Sequence, residues 1–392
     1  MKLLHTADWH IGKQLNQFNL MDVQKDAFQQ ISEIAHAEAV DGIIIAGDLY
    51  DRAIPSVDAV KNFDAMLKHL NLEQNLPIYA ISGNHDGANR LNFARDWFGA
   101  QKLYLNTKIK EALIPVETPT AQIFLLPYFD PQDARIFYNV SVESNELRTI
   151  QQAMTRVISD IVAQFDPQKR HILVTHFNVQ GTDNEDYELT SETTSTVGGL
   201  NTVAASLFAD FDYVALGHLH LWQASPSKHI RYSGSPVKFN TKEAQNEKGV
   251  YIVDIPTNGP VTYTFKPIKP NKDLYVLRGT FAELTAASTY EQYPAKGAAF
   301  FSIQLLDRPQ EKNIRQQLED IYGDVVEIQY HVTTTLAMPS HQQVQARAQV
   351  SDSEIIRQFY AAVMAPNELS SAQATLIDET LTTLRSESED QQ

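Results

Sequence analysis

The 392-residue sequence contains no cysteine. Disulfide bridges and zinc sites with cysteine ligands are therefore excluded, and the composition fits a reducing compartment. No apolar run approaches the ~20 residues that a membrane helix needs. The chain begins with the apolar segment MKLLHTADWH and shows neither the charged region nor the hydrophobic core of a signal peptide. We therefore expect a cytoplasmic protein with no membrane partner.

Basic residues are also scarce. The 32 lysines and arginines are outnumbered by 48 aspartates and glutamates, which gives a formal net charge of −16. This charge argues against a free-standing nucleic-acid binder with a broad basic surface. A function on nucleic acid would have to depend on bound cations, a local basic patch or a basic partner. Many soluble enzymes are acidic as well, so the charge alone assigns no function.

Hydrophobic residues make up 43% of the chain, and its length suggests two or three domains. In the first part of the chain, apolar strand-like runs alternate with helical periodicity, which predicts an α/β domain with a sheet covered by helices. The composition becomes rich in proline, asparagine and lysine around residues 256–273. The predicted segments are an α/β domain at 1–268, a small α+β domain at 269–335, a polar linker at 336–350 and a helical region at 351–392. Two short amphipathic helices are expected in this last region, at about 353–365 and 370–385.

Five predicted strands of the first domain end in residues of the types that bind metal ions. These residues are Asp8 and His10, Asp48, Asn84, His176, and His218 with His220. Ligand sites in open α/β sheets form at the carboxyl ends of the strands, so we expect these side chains to meet in one place. His218 and His220 stand two residues apart, and in an extended chain they face the same side.

Each of these residues taken alone has an ordinary explanation. An aspartate at a strand end is usually a turn residue or a helix cap, and a lone histidine is usually a hydrogen-bonded core residue. A histidine pair is also compatible with a surface turn. Five such motifs, each after an apolar strand, favour a metal site instead.

Seven ligands are too many for one tetrahedral zinc site, and they suit two five- or six-coordinate ions that share a bridging carboxylate. Mixed imidazole and oxygen ligands disfavour magnesium and suit manganese, iron, cobalt or zinc. Two such ions clamp a phosphoryl group and activate a water in phosphoester hydrolysis. The reaction also needs a proton donor for the leaving oxygen. Our candidate general acid is His85, with Asp51 as the carboxylate that orients it.

The motifs D-x-H, G-D-x-x-D, G-N-H-D, a single histidine and G-H-x-H occur here in this order and resemble those of the calcineurin-like metallophosphoesterases. The segments GDLYDRAIPS, YVALGHLH and IRYSGSPVKF are further similar to the branch of this family that cleaves DNA. The resemblance implies a four-layer α/β/β/α sandwich, a small α+β cap domain and a C-terminal helical extension. The ligand sets that it implies are Asp8, His10, Asp48 and His220 for one ion, and Asp48, Asn84, His176 and His218 for the other.

The resemblance also implies a manganese-dependent DNA nuclease that works in an ATP-dependent complex in DNA repair, replication and recombination. It implies exonuclease action on duplex ends and endonuclease action on single-stranded or hairpin DNA. The implied assembly is a heterotetramer of two nuclease subunits and two SbcC-type ATPase subunits. In it the nuclease domains form a homodimer, the cap domain faces DNA, and the C-terminal helices grip the coiled coil of the ATPase. Such a complex is expected on the nucleoid when it is bound to DNA.

The chain departs from the archaeal and eukaryotic relatives at Asp51, where they carry a histidine. Asp51 followed by Arg52 is similar to the protein-phosphatase form of the motif, which leaves the division of roles between His85 and Asp51 open. Two alternative functions also stay open: a stand-alone phosphatase or phosphodiesterase, and a mainly structural subunit that tethers DNA ends. Arg52 is a candidate substrate-binding residue. The basic residues beside the motifs, which are either DNA contacts or ordinary solvated residues, are Lys13, Arg52, Arg90 and Lys238.

Overall fold

The computed structural model describes residues 1–184, 202–331, 351–364 and 369–389. The predicted linker at 336–350 lies outside the described residues. The chain divides into two compact units. The first consists of Met1–Val276, Glu291–Ser302 and Arg315–Glu327, and the second consists of Leu277–Tyr290, Ile303–Ile314 and Ile328–Gln392.

A six-stranded sheet, the first sheet, belongs to the first unit. Its strands in spatial order are Thr262–Ile268, Lys248–Asp254, Lys2–Thr6, Gly42–Ala46, Ile78–Ile81 and Leu103–Asn106. The last four are mutually parallel, whereas Lys248–Asp254 runs antiparallel to both of its neighbours. Every residue of the strand Gly42–Ala46 is buried, which matches the continuous apolar sequence of a parallel strand covered on both faces.

A five-stranded sheet, the second sheet, completes the frame of the same unit. Its strands in spatial order are Ile230–Tyr232, Tyr213–Gly217, Arg170–His176, Ala121–Leu126 and Val116–Glu117. The first four are parallel, and Val116–Glu117 is antiparallel to its neighbour.

The two sheets share one apolar core, in which Ile44 of the first sheet and Val174 of the second are fully buried. The helices Met21–Ala37 and Val57–Lys68 pack on the other face of the first sheet. The helix Ile150–Val162 packs on the other face of the second sheet. This arrangement confirms the predicted four-layer α/β/β/α sandwich.

Short helices connect the strands of this unit, at Ala88–Leu91, Arg95–Ala100, Ile109–Ala112 and Pro131–Phe137. The start of the helix Val57–Lys68 is fixed by Ser56, whose Oγ accepts a hydrogen bond from the Ala59 backbone N–H at 3.2 Å. Such a cap satisfies one of the free N–H groups of the first helical turn.

The strand Thr262–Ile268 lies inside the stretch 256–273, whose composition suggested a domain boundary. It pairs along its whole length with Lys248–Asp254 and forms the edge of the first sheet. The sequence alone does not indicate this strand, because proline is unfavourable in most strands. An edge strand tolerates Pro267, since the outer side of such a strand needs no hydrogen-bond donor.

Three further strands, Leu274–Gly279, Phe300–Leu305 and Asp324–Tyr330, form a small sheet with Phe300–Leu305 in its centre. Helices of the same region are Phe281–Thr285, Ala287–Tyr290 and Ile314–Tyr322. This is the α+β composition expected for residues 269–335, and the domain boundaries themselves stay a prediction.

The two predicted C-terminal helices are present at Asp352–Met364 and Ser371–Glu389. The second continues beyond the predicted end at residue 385. An ion pair of 3.1 Å between Arg357 and Asp378 joins the two helices. Among the described residues, none of the helices combines the length and the apolar character required to cross a bilayer.

Candidate metal centre

All seven predicted ligand residues lie together at the carboxyl ends of parallel strands. In the first sheet, Asp8 and His10 follow Lys2–Thr6, Asp48 follows Gly42–Ala46, and Asn84 follows Ile78–Ile81. In the second sheet, His176 ends Arg170–His176, and His218 and His220 follow Tyr213–Gly217. The two sheets therefore contribute donors to one site, as the sequence predicted for strand ends of this fold class.

Four of these residues have left-handed backbone conformations. The φ angles are 54° at Asp8, 44° at His10, 49° at Asp48 and 99° at His218. Residues other than glycine rarely adopt positive φ, and those that do are concentrated at functional sites. The turns after three different strands thus adopt backbone conformations that direct these side chains toward one another.

Two glycines allow these turns to approach one another. A Cβ atom on Gly217 would lie 1.9 Å from the Ala46 carbonyl oxygen and 2.7 Å from His176 Nδ1. A Cβ atom on Gly83 would lie 2.2 Å from Asp48 Oδ1. Only glycine fits at these two positions while the ligand residues keep their places.

Asp48 lies between two groups of donor atoms. Its Oδ2 is 3.4 Å from His10 Nε2 and 3.3 Å from His176 Nε2. On the first side, His10 Nε2 is 3.1 Å from His220 Nε2. A single carboxylate oxygen thus faces an imidazole of each group, which is the position expected of a bridging ligand.

On the second side, Asn84 is shared by two histidines. Its Oδ1 is 3.1 Å from His176 Nε2 and 3.0 Å from His218 Nδ1. Asp8 lies near both groups, with Oδ1 3.9 Å from His176 Nε2 and 4.0 Å from His220 Nε2.

The chemistry of these donors fits divalent cations. Asp8 and Asp48 are buried, and imidazole nitrogens point toward them and toward each other. Three clusters have one ligand atom per residue within 4.8 Å of the others: Asp8 with His10 and His220, Asp8 with Asp48 and His176, and His10 with Asp51 and His85. Positive charge between buried carboxylates and facing imidazoles stabilises such an arrangement, and divalent ions with this ligand preference would supply it.

The electrostatics distinguish the two carboxylates. Burial by itself would raise the pKa of Asp48, but the adjacent His176 and His10 outweigh it and hold that pKa well below its usual range. Burial raises the pKa of Asp8 to about 6, although His176 and His220 oppose this change. Asp48 is therefore the more firmly ionised of the two, as a ligand shared by two cations should be.

His85 lies at the rim of the site and is half-buried. Its backbone N–H donates to Asp48 Oδ1 at 2.9 Å, and its ring Nδ1 is 2.9 Å from the backbone carbonyl oxygen of Asp51. The Asp51 carboxylate instead accepts from Lys13 Nζ at 3.0 Å and from Arg52 Nη2 at 3.3 Å. The group that orients His85 is thus the main chain of Asp51 rather than its side chain. The catalytic roles of both residues stay predictions.

The candidate DNA contacts differ in their surroundings. Lys13 pairs with Asp51, and Lys238 pairs with Asp273 at 2.8 Å. The side chain of Arg52 is 69% exposed and lines a cavity of about 710 Å³ next to the site, and Arg90 is also exposed. The two arginines are the more accessible of the four candidates.

Glu243, a residue outside the predicted site, lies directly behind His220. Glu243 is completely buried, and its Oε1 is 3.3 Å from His220 Nδ1. Burial by itself would raise the pKa of this carboxyl group, but Lys248 and His220 outweigh it and lower the pKa to about 2. Glu243 and Lys248 follow the segment IRYSGSPVKF by four and nine residues and belong to no metal-ligand motif, so the spacing of residue types does not single them out.

Asp86 was recognised only as part of the G-N-H-D motif. Its buried carboxylate accepts the backbone N–H groups of Gly83, Leu49 and Tyr50 at 2.9 to 3.0 Å. It ties the turn that carries Asn84 to the turn that carries Asp48. Asp86 therefore fixes the distance between two ligand turns.

Comparison with known proteins gives matches along most of the chain. Residues 1–221 match the family described as calcineurin-like phosphoesterase. Residues 270–364 match the family described as type 5 capsule protein repressor C-terminal domain. A curated protein of Staphylococcus epidermidis, the SbcD subunit of the nuclease SbcCD, is 32% identical over 378 residues, which cover 96% of this chain and 97% of that protein.

Solved structures also match, among them the following two. The Thermus thermophilus protein TT1561 is 11% identical, with a TM-score of 0.38, and the match covers 68% of this chain and 99% of that chain. The calcineurin-like phosphoesterase YfkN from Bacillus subtilis is 12% identical, with a TM-score of 0.34, and the match covers 68% of this chain and 90% of that chain.

Proposed function

Because the chain belongs to the calcineurin-like phosphoesterases and is a metal-dependent nuclease subunit of the SbcCD type, we propose that it hydrolyses DNA phosphodiesters with two divalent ions, manganese foremost. The observation that carries this proposal is the position of Asp48 Oδ2, 3.4 Å from His10 Nε2 and 3.3 Å from His176 Nε2. The ligand sets are those implied by the family, namely Asp8, His10, Asp48 and His220 for one ion, and Asp48, Asn84, His176 and His218 for the other. Imidazole and carboxylate donors together suit manganese better than magnesium.

When bound by these residues, two ions would supply positive charge to the phosphoryl oxygens and lower the pKa of the attacking water. The chain's own residues do the rest. Asp48 lies between the two groups of ligand residues and positions both. Asp86 holds the turn that carries Asp48 against the turn that carries Asn84. His85 keeps Nδ1 on the Asp51 carbonyl oxygen, so its Nε2 is the atom that donates a proton to the leaving oxygen.

In this proposal the substrate is DNA. The protein acts as an exonuclease on duplex ends and as an endonuclease on single-stranded or hairpin DNA. This cleavage takes part in DNA repair, replication and recombination, and it depends on ATP hydrolysis by an SbcC-type partner. The name of the Staphylococcus relative, which matches over 97% of its length, supports the nuclease assignment, and the substrates, processes and ATP dependence are those that the family resemblance implies. With a net charge of −16, the chain depends on its bound ions and on its partner to hold DNA. Such a complex acts in the cytoplasm and lies on the nucleoid while it is bound to DNA.

The C-terminal helices are the proposed site for the ATPase. Apolar side chains on these helices are exposed, with 45% for Ile355, 67% for Phe359 and 63% for Leu376. Helices this short gain most of their stability from docking an apolar face. A coiled coil is a suitable partner, because helices dock well in helical grooves.

The nuclease unit is the proposed homodimer contact in a complex of two subunits of each kind. Four large apolar side chains are exposed on its helices or beside them, with 68% for Ile54, 70% for Val57, 76% for Phe93 and 75% for Trp97. Phe93 and Trp97 line one cavity, and contiguous exposed apolar surface marks protein interfaces.

One experiment separates this function from its alternatives. We would measure manganese-dependent cleavage of duplex DNA and of bis-p-nitrophenyl phosphate, each with and without the ATPase partner. We expect the chain alone to cleave the small diester and partner plus ATP to be required for efficient duplex cleavage. Cleavage of the small diester with no DNA cleavage under any condition would indicate a stand-alone phosphodiesterase. DNA-end binding without any hydrolysis would indicate a structural subunit.

Asp48→Ala is the matching variant, with Asp64→Ala on an exposed helix surface as its control. Loss of the shared carboxylate is expected to abolish hydrolysis of both substrates while the fold stays intact. The control should cleave like the wild type. Full activity of Asp48→Ala at saturating manganese would remove the two-ion assignment.

A further inference from the structure

A buried pair of opposite charges lies behind one metal ligand of the site. The Oε1 atom of Glu243 is 3.3 Å from His220 Nδ1 and 2.6 Å from Asn240 Nδ2. On the other side of the ring, His220 Nε2 faces His10 Nε2 at 3.1 Å. The imidazole of His220 therefore has the metal site at one nitrogen and a carboxylate at the other.

Lys248 holds both the carboxylate and the main chain of the ligand. Its Nζ donates to Glu243 Oε2 at 2.5 Å, to the His220 carbonyl oxygen at 2.8 Å and to Ser235 Oγ at 2.8 Å. Lys248 and Glu243 are 3% and 0% exposed. Taking two charges out of water is costly, and removing one member of such a pair leaves the other uncompensated. A pair that only stabilised the fold could be replaced by apolar residues of similar volume.

The second ion's histidines have different surroundings. His176 Nδ1 is held by the Ala46 carbonyl oxygen at 2.8 Å, and the Nδ1 of His218 faces the ligand Asn84. His10, which shares an ion with His220, has the Asp51 carboxylate 3.9 Å from its Nδ1, beyond hydrogen-bond distance. In each of these four histidines, one ring nitrogen can face away from the metal site. Among their described contacts, the carboxylate within hydrogen-bond distance of such a nitrogen is that of Glu243, at His220 Nδ1.

We propose that Glu243 is a positioning residue that accepts the Nδ1–H of His220 and keeps Nε2 available to the metal ion, and that Lys248 locks both groups in place. This inference rests on the proposed two-ion site. A histidine ligand binds a metal through a nitrogen without hydrogen, and the partner of the other nitrogen selects the tautomer. The pair acts on the ion that His220 binds and leaves the other ion unaffected.

Glu243→Gln is the sharpest variant, because it keeps the shape and changes only the hydrogen-bonding pattern. The Oε2 position receives donors from Lys248 and from the Phe239 backbone N–H, at 2.5 and 3.4 Å. The Oε1 position also has a donor, Asn240 Nδ2 at 2.6 Å, but the charged Lys248 ammonium is the stronger donor and keeps the amide oxygen at Oε2. The amide NH₂ group will then face His220 Nδ1, and the Asn240 amide must turn away from it. An NH₂ donor at this position favours the Nε2–H tautomer of His220 over the Nδ1–H tautomer. The hydrogen then occupies Nε2, the nitrogen that would bind the ion.

The test uses the full chain and has two measurements. Isothermal titration with Mn²⁺ resolves the two ions in the wild type, and we expect Glu243→Gln to weaken one of them by about 10- to 100-fold, the usual cost of losing such a supporting contact. In protein without added metal, ¹⁵N-histidine NMR reports the tautomer of His220, with the resonance assigned from a His220→Gln spectrum. We expect Nδ1–H in the wild type and Nε2–H in Glu243→Gln.

The control is Glu111→Gln, another buried glutamate, whose carboxylate accepts the Thr107 and Lys108 backbone N–H groups at 2.7 and 3.0 Å. It should leave both Mn²⁺ affinities and the His220 tautomer unchanged. If Glu243→Gln does not fold, the apolar double variant Glu243→Met with Lys248→Met removes both charges and should also weaken one ion.

Wild-type affinity for both ions in a folded Glu243 variant would overturn the inference. So would an Nε2–H tautomer of His220 in the wild type, whether or not metal binds. Failure of the wild type to bind two ions would instead contradict the proposed function, so the two failures are distinguishable.

Discussion

The ring nitrogen Nδ1 of His85 lies 2.9 Å from the backbone carbonyl oxygen of Asp51. A carbonyl oxygen only accepts hydrogen bonds, so this contact places a hydrogen on Nδ1. When the ring is protonated, the second hydrogen is on Nε2 and is available to a leaving oxygen. The proposed proton donor is therefore oriented by the main chain, which no side-chain substitution removes.

His85→Gln is expected to lower the rate of phosphodiester hydrolysis by roughly 10²–10⁴-fold, the range for loss of a general acid. Manganese binding should persist, because His85 is outside both ligand sets. Single-turnover cleavage and Mn²⁺ titration on the same preparation test this, with His36→Gln on an exposed helix surface as control. A parallel loss of Mn²⁺ affinity would make His85 a ligand instead of the proton donor.

Asp51→Ala is expected to cost about tenfold in rate, less than the roughly 10²–10⁴-fold expected for removal of the acid. The reason is that the carboxylate contacts Lys13 and Arg52, while the backbone carbonyl oxygen that orients His85 is retained. The same single-turnover assay measures it. A loss equal to that of His85→Gln would show that the carboxylate itself takes part in the proton transfer.

Gly83→Ala is expected to abolish binding of manganese at the shared carboxylate, because the new Cβ would lie 2.2 Å from Asp48 Oδ1. Gly99→Ala is the matched control, since a Cβ there meets nothing within 4 Å. Mn²⁺ titration together with thermal unfolding of both variants provides the measurement. Normal Mn²⁺ binding by Gly83→Ala would mean that the Asp48 carboxylate is not fixed where the structure has it.

Phe359→Asp is expected to weaken binding of the SbcC-type ATPase by about 30-fold or more, since a buried aromatic anchor is worth about 2 kcal/mol or more. The side chain is 67% exposed, so the fold and manganese-dependent hydrolysis of a small diester should be unchanged. Gln358→Asp on the same helix is the control. Truncation after Val350 should reproduce the effect of Phe359→Asp, and full affinity of either protein for the partner would exclude these helices as its site.

Much of the site was predictable because its chemistry is concentrated at the ends of buried strands. Asp48 and His176 each follow an apolar run, and the period of a strand puts His218 and His220 on one side. The four layers were predictable from strand and helix alternation and from the family resemblance together. The local sequence was enough to predict these features because each motif is short and follows a clearly apolar strand.

Other features depend on contacts between residues far apart in the chain, and the sequence does not display these. Glu243 and Lys248 meet His220 only because the first and second sheets pack together, and neither residue stands in a motif. The strand Thr262–Ile268 is stabilised by its neighbour in the sheet rather than by its own composition. The orientation of His85 by a backbone carbonyl oxygen could not be predicted either, because every residue has one.

The most direct measurement of the two-ion account is anomalous diffraction at the manganese edge from crystals grown with saturating Mn²⁺. We expect two peaks about 3.5–4 Å apart, the spacing of two-metal phosphoesterase sites, with the Asp48 carboxylate between them. One peak should lie among the ligands Asp8, His10 and His220, and the other among Asn84, His176 and His218. A single peak, or two peaks that do not share Asp48, would contradict the account.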